Sequence, residues 1–125
     1  MEAKVIILIV DDNINFVDRM IGLLEDVSEV DKIHIASNFD AGKNLFNEKQ
    51  PDMVLLDINL PGKNGIELLR TIKEQKNDCD VIMITNHADE YYRGQCFELG
   101  ASHFLDKSND FALVPSLIKK RFASK

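Results

Sequence analysis

The residues best able to do chemistry in this 125-residue chain stand at the ends of its apolar runs. The first run closes in Asp11-Asp12, the third in Asp57, the fourth in Thr85 and the fifth in Asp106-Lys107. Three carboxylates brought to one place repel one another, so some must protonate or be neutralised. A divalent cation does this well, and hard oxygen ligands favour Mg²⁺ or Ca²⁺. Mg²⁺ usually takes one or two carboxylates together with waters and a phosphate oxygen. One carboxylate is then left to act as a nucleophile, and a carboxylate can take up a phosphoryl group as an aspartyl phosphate. The transferred group spreads negative charge over its equatorial oxygens and needs a cation and hydrogen-bond donors around it. The metal, the Lys107 ammonium and the Thr85 hydroxyl would supply them.

That chemistry requires all these ends to share one edge, and the rest of the sequence is patterned to put them there. Five strand-like runs, 4–10, 31–37, 51–59, 79–86 and 102–107, alternate with five helix-like segments. The first, third and fourth are continuously apolar, as strands buried on both faces of a parallel sheet are. The second alternates and the fifth is short, which suits edges. Helical periodicity places Ile14, Val17, Ile21 and Leu24 on one face of 13–27, with Met20 beside them. It places Ala41, Leu45 and Phe46 together in 38–48, Ile66, Leu69 and Ile72 in 64–75, and Ala88, Tyr92, Cys96 and Leu99 in 88–99. The last helix carries Val114, Leu117, Ile118 and Phe122 and starts near 112–114, because Pro115 fits only a first turn. Asn38 is an N-cap candidate and Gly100 a C-terminal cap candidate.

Regular βα alternation with buried strands implies a doubly wound α/β domain, one five-stranded parallel sheet with helices on both faces. The centre–edge pattern fits strand order 2-1-3-4-5, the flavodoxin-like order, as a single domain over 1–125. Ligands in such sheets bind at the carboxyl ends of the strands, where the order reverses. The first and third strand ends, carrying Asp11, Asp12 and Asp57, flank that reversal.

Taken singly, most of these signals are weak. An Asp pair after a strand is more often a helix cap than a metal site, and threonine is common in strands. Asp57 is stronger, because a carboxylate closing an apolar central strand needs an explanation. Strand parity leaves the choice between Asp106 and Lys107 open; charge balance favours Lys107, since three acids and a phosphate need a cation. The joint placement of all four ends is the specific signal.

On those residues the chain resembles a response-regulator receiver domain, the phospho-acceptor module of two-component signalling, of the chemotaxis-regulator kind. The resemblance covers essentially the full length. It implies that Asp11 and Asp12 hold Mg²⁺ together with Asp57 and the backbone carbonyl of Asn59. It implies that Asp57 is phosphorylated by a sensor histidine kinase or a histidine phosphotransfer protein, that Thr85 moves toward the phosphoryl group and that Lys107 contacts it. Phe104 matches the aromatic that swings between outward and inward positions; an aromatic there is otherwise core. Pro61 and Gly65 match the turn after the acceptor and the glycine that opens the third helix. The face of the fourth helix, fifth strand and fifth helix would then bind a downstream protein or a second copy.

The sequence departs from that pattern twice. Ser108 follows the lysine where the family usually has proline joined by a cis bond, and a cis bond before a non-proline residue costs roughly 3 kcal/mol. Either the Lys107–Ser108 bond is trans with an altered loop, or the fold holds it cis. Asn86 follows Thr85 where a small residue is usual and would narrow the entrance. His87, two residues past Thr85, is a weak candidate for the pocket rim. Of the adjacent Tyr91 and Tyr92, only one can face the core.

Composition narrows the remaining classes. A formal charge of −6 and the lack of a basic stripe make polyanions poor direct partners, so no nucleic-acid contact is expected. The longest apolar run, 5–10, falls far short of the ~20 residues that cross a bilayer. No secretory signal opens the chain, and Cys79 and Cys96 lack metal-ligand spacing, so reduced thiols and a cytoplasmic location are expected. The expected role is a signalling phospho-acceptor that catalyses its own modification, not a turnover enzyme. The alternatives are a haloacid-dehalogenase-type aspartyl-phosphate hydrolase and a non-phosphorylated interaction module of the same fold. The first would want a second acid two residues after the nucleophile, where Asn59 stands, and room for a cap insertion.

Overall fold

The computed structural model describes residues 4–86 and 89–122. Its strands are β1 (Val5–Val10), β2 (Val30–Ala36), β3 (Met53–Leu56), β4 (Asp80–Thr85) and β5 (His103–Asp106). All pairings are parallel, in the order β2-β1-β3-β4-β5 that the apolar patterning predicts. The helices are α1 (Ile14–Leu24), α2 (Phe39–Lys49), α3 (Gly65–Gln75), α4 (Glu90–Glu98) and α5 (Val114–Phe122). A 3₁₀ turn, Phe111–Leu113, leads into α5 and leaves Pro115 in its first turn. The expected segments of regular structure run longer than the observed elements by one to three residues at most ends. His87 and Ala88, assigned above to the pocket rim and to the fourth helix, lie outside the described residues.

The helices start where the sequence offers acceptor side chains. Asn13, Asn38, Asn64 and Asp89 each accept a backbone N–H in the first turn of α1, α2, α3 and α4, satisfying donors that no helix can pair internally. At the other end of α4, Gly100 takes φ +104°, the left-handed conformation that favours glycine, and its N–H donates to the Phe97 carbonyl at 3.0 Å.

Strand alternation divides the core in two. Leu8, Val10, Val54, Leu56, Val81, Met83 and Phe104 face α2, α3 and α4. Ile7, Ile9, Met53, Leu55, Ile82, Ile84 and Leu105 face α1 and α5. β1, β3 and β4 are central and nearly wholly buried, whereas β2 is an edge whose residues Asp31, Lys32 and Ile35 are exposed.

One core expectation fails. Ile14 was expected on the buried face of α1 and is 74% exposed. Seven residues turn a helix through about 700°, nearly two full circles, so Ile14 shares its azimuth with Ile21. Ile21 is itself only partly buried, and the stripe that packs is Phe16, Val17, Met20 and Leu24. Ile14 stands at the margin of that stripe in the opening turn.

Candidate functional site

The sheet ladder continues one residue beyond the strands and sets the geometry of their ends. Asp11 N–H donates to the Ala36 carbonyl at 3.0 Å, Asp57 N–H to Val10 at 3.1 Å and Lys107 N–H to Thr85 at 3.0 Å. Asp11, Asp57 and Lys107 therefore have the parity of Ile9, Leu55 and Leu105, on the α1–α5 side. Asp106 has the opposite parity, with Phe104. Register thus settles which member of the Asp106-Lys107 pair joins the acids, in agreement with the charge argument.

The three side chains meet. Lys107 Nζ lies 2.8 Å from Asp11 Oδ2 and 3.0 Å from Asp57 Oδ2. The Asp57 contact is a hydrogen bond as well as an ion pair, and the Asp11 contact is the shorter of the two ion pairs. Asp11 is 2% exposed, Asp57 5% and Lys107 9%, so these charges are out of reach of bulk solvent. The other carboxylate oxygens turn to the backbone: Asp11 Oδ1 accepts Asn13 N–H at 2.9 Å and Asp57 Oδ1 accepts Asn59 N–H at 3.3 Å. The Lys107 ammonium also sits over the ring of Phe16, 4.6 Å from its centroid, in cation–π contact.

Burial pushes the Asp11 carboxyl above the ordinary carboxylate value, with repulsion from Asp57 adding to the effect; the Lys107 ammonium and the Asn13 N–H oppose it. Burial works against the Lys107 ammonium too, but Asp11 and Asp57 outweigh it and hold its pKa above the ordinary lysine value. The lysine stays charged, and the acids carry an electrostatic load that a further cation would relieve.

Asp12 joins the cluster from the exposed side. One carboxylate oxygen from each of Asp11, Asp12 and Asp57 lies within 4.8 Å of the others. Three hard oxygen donors this close together, two of them on buried carboxylates, suit a hard divalent cation. The residues present therefore fit such an ion.

Thr85 closes β4 fully buried, and Phe104 is buried in β5 with the Arg93 guanidinium 5.2 Å from its ring centroid. Gly65 passes against the end of β3: its N–H donates to the Ile58 carbonyl at 2.7 Å, and an added Cβ would overlap the Asp57 carbonyl oxygen. Asn86 and Ser108, the two departures from the family pattern, line one cavity with Asn13, Asn15, Phe16, Arg19 and Lys107. No described residue has a cis peptide bond, so Lys107–Ser108 is trans. Tyr91 is exposed and Tyr92 partly buried, as two adjacent helical residues must divide. The sequence reading missed two contributors, Phe16 beneath the ammonium and Asn13, whose N–H holds Asp11. Asn13 was visible as a polar residue two places beyond Asp11; the place of Phe16 follows from the rotation of α1 alone.

A doubly wound sheet with a buried acid–lysine cluster at its carboxyl edge defines a receiver-type α/β domain. The family model described as response regulator receiver domain matches residues 7–119, and the chain belongs to that family. It is 32% identical over 125 residues to the sensory transduction protein LytT of Oceanobacillus iheyensis, covering 98% of this chain and 51% of that one. It is 34% identical over 110 residues to the transcriptional regulatory protein MalR of Bacillus subtilis, covering 84% and 45%. Among solved structures, the signal receiver domain of a DNA-binding response regulator protein (merR) from Colwellia psychrerythraea 34H superposes with a TM-score of 0.87. The identity there is 28%, over 96% of this chain and 99% of that one. The chain spans about half the length of the curated relatives it matches. Among the described residues no helix is long and apolar enough to cross a membrane.

Proposed function

We propose that the chain, read as one receiver domain over 1–125, accepts a phosphoryl group on Asp57 from the phosphohistidine of a sensor histidine kinase or a histidine phosphotransfer protein. The observation that carries this is the bridging of buried Asp11 and Asp57 by Lys107 Nζ, at 2.8 and 3.0 Å. A carboxylate oxygen of Asp57 attacks phosphorus, the phosphorus–nitrogen bond of the donor breaks, and its electron pair returns to the imidazole. The Lys107 ammonium turns to a phosphoryl oxygen, and the buried Thr85 hydroxyl donates to another. Asp11, Asp12, Asp57 and the Asn59 carbonyl would hold Mg²⁺, which when bound offsets the charge developing on the phosphoryl oxygens. Asp11 and Asp12 keep that cation beside the acceptor.

Phosphorylation of Asp57 then biases a two-state equilibrium. Thr85 and Phe104 follow the phosphoryl group, and the face of α4, β5 and α5 presents its altered surface to a downstream protein or to a second copy. The formal charge of −6 makes a protein surface the expected direct partner, in preference to a polyanion, and the two free cysteines suit a cytoplasmic site of action. The domain modifies itself and has no turnover substrate.

The test is intact mass after incubation with acetyl phosphate and Mg²⁺, for wild type and Asp57→Asn. One phosphoryl adduct on wild type and none on the variant is expected. No adduct with any donor, histidine kinase included, would remove the acceptor reading. Steady phosphate release from many small phosphomonoesters would favour the hydrolase.

A further inference from the structure

The turn after β5 carries a set of hydrogen bonds that phosphoryl chemistry at Asp57 does not itself require. Asp106 Oδ1 accepts Ser108 N–H at 2.8 Å and Asn109 N–H at 3.3 Å. Asp106 N–H donates to Asp110 Oδ2 at 2.9 Å, and Asp110 N–H donates back to the Asp106 carbonyl at 2.8 Å. Four bonds thus brace residues 106–110, and Lys107 lies inside the brace with its own N–H tied to Thr85 at 3.0 Å. Proline at 108 would have no N–H to give Asp106. The serine, the trans peptide bond and the Asp106 carboxylate form one arrangement.

Lysine needs such a brace. Its stem carries about 2 kcal/mol of rotamer entropy, and a group that acts on a reacting centre must be held to within about 0.5 Å. Fixing the Lys107 backbone sets where that stem starts, so that the contacts with Asp11 and Asp57 have only the side-chain rotamers left to order.

We propose that Asp106 is a positioning residue: by capping the turn through Ser108 and Asn109 it holds Lys107 Nζ between Asp11 and Asp57. This rests on the reading of Asp57 as phospho-acceptor. Two effects follow from loosening the turn, and they run in opposite directions. Lys107 supports the phosphoryl group less often, so phosphorylation slows. It also competes less with a divalent cation for the Asp11 and Asp57 oxygens, so Mg²⁺ binds more tightly. A loss of general order would weaken both.

The experiment compares wild type, Asp106→Ala and Asp106→Asn, the last of which keeps a side-chain oxygen to cap the turn. Thermal melts first establish that each variant is folded. Phosphorylation by acetyl phosphate is followed by intact mass, and Mg²⁺ affinity by calorimetric titration. Asp106→Ala should phosphorylate about tenfold more slowly, milder than the ~10²-fold loss a 1 Å misplacement can cause, with Asp106→Asn within about twofold of wild type. The Mg²⁺ affinity of Asp106→Ala should rise above that of wild type. An unchanged rate in Asp106→Ala, or an Mg²⁺ affinity equal to or below wild type, overturns the positioning role. If wild type itself takes up no phosphoryl group, the acceptor reading falls and the Mg²⁺ titration still decides the role of Asp106.

Discussion

Gly65 packs so closely on Asp57 that any side chain at 65 would overlap the Asp57 backbone carbonyl. The obstacle is main chain on a buried strand end, which cannot swing aside as a flexible side chain could. Gly65→Ala should therefore lose about 3 kcal/mol of stability, the upper part of the range for overpacking. It should also displace Asp57 enough to slow phosphoryl uptake. Urea unfolding of the variant checks the first effect, and a midpoint within error of wild type would contradict it.

Lys107 is the sole cation in contact with the two buried acids among the described residues. Lys107→Met leaves both carboxylates without compensation, and breaking a buried ion pair from one side costs roughly 3–5 kcal/mol. A divalent cation stabilises whichever form binds it better. Millimolar Mg²⁺ should accordingly raise the unfolding midpoint of Lys107→Met by more than it raises that of wild type. Equal shifts would mean that the lysine and the metal do not share the same oxygens.

The two thiols offer a test on the alkaline side. Burial pushes Cys79 up to about 12 and Cys96 up to about 11. In the unfolded chain a cysteine ionises near its ordinary value of about 8.5. Above that pH the unfolded state binds fewer protons than the folded one, so stability falls as pH rises, up to the folded values. The unfolding midpoint should decline between pH 8.5 and 10, and a Cys79→Ala, Cys96→Ala double variant should decline less steeply. Iodoacetamide at pH 8 should leave both thiols unmodified in the native protein and modify both in urea, read by mass.

At the far end of the sheet, Arg121 Nε pairs with Asp80 Oδ2 at 2.7 Å, and Ser102 donates its hydroxyl to Asp80 Oδ1 at 3.1 Å. Arg121 is more than half exposed, so solvent screens much of the attraction. Arg121→Ala should cost no more than about 1 kcal/mol. Thermal melts at low and high salt would show the difference between variant and wild type shrinking as salt rises.

Most of what positions the site could be read from the sequence, because burial on both faces leaves a simple trace. The unbroken apolar runs at 5–10 and 53–56 marked central strands, and the alternation at 31–37 marked an edge. The acids were legible for the same reason: Asp57 interrupts an apolar run where burial demands a partner. Lys107 was chosen over Asp106 on charge, and register gives the same answer from geometry. Ile14 was misplaced because its azimuth lies at the margin of the helix stripe, where periodicity alone does not resolve burial. Asp106 reads from the sequence as local solvation or a cap, and it does cap the turn through Ser108 and Asn109; the part played by Asp110 was not legible, since it depends on how the turn folds back. The trans bond at Ser108 was one of two options that chemistry allowed, and the folded turn decides between them.

The edge position of β2 has a bearing on how the protein behaves in a crowded solution. A strand with one unpaired side is a template for another chain to add to. Here the strand carries Asp31 and Lys32, both exposed, near its start and half-buried His34 further on, and Ile35 is its one exposed apolar residue, with Val30 and Ile33 partly buried. In a parallel in-register pairing of two copies Asp31 would meet Asp31 and Lys32 would meet Lys32, so like charges oppose that mode of strand addition at this edge.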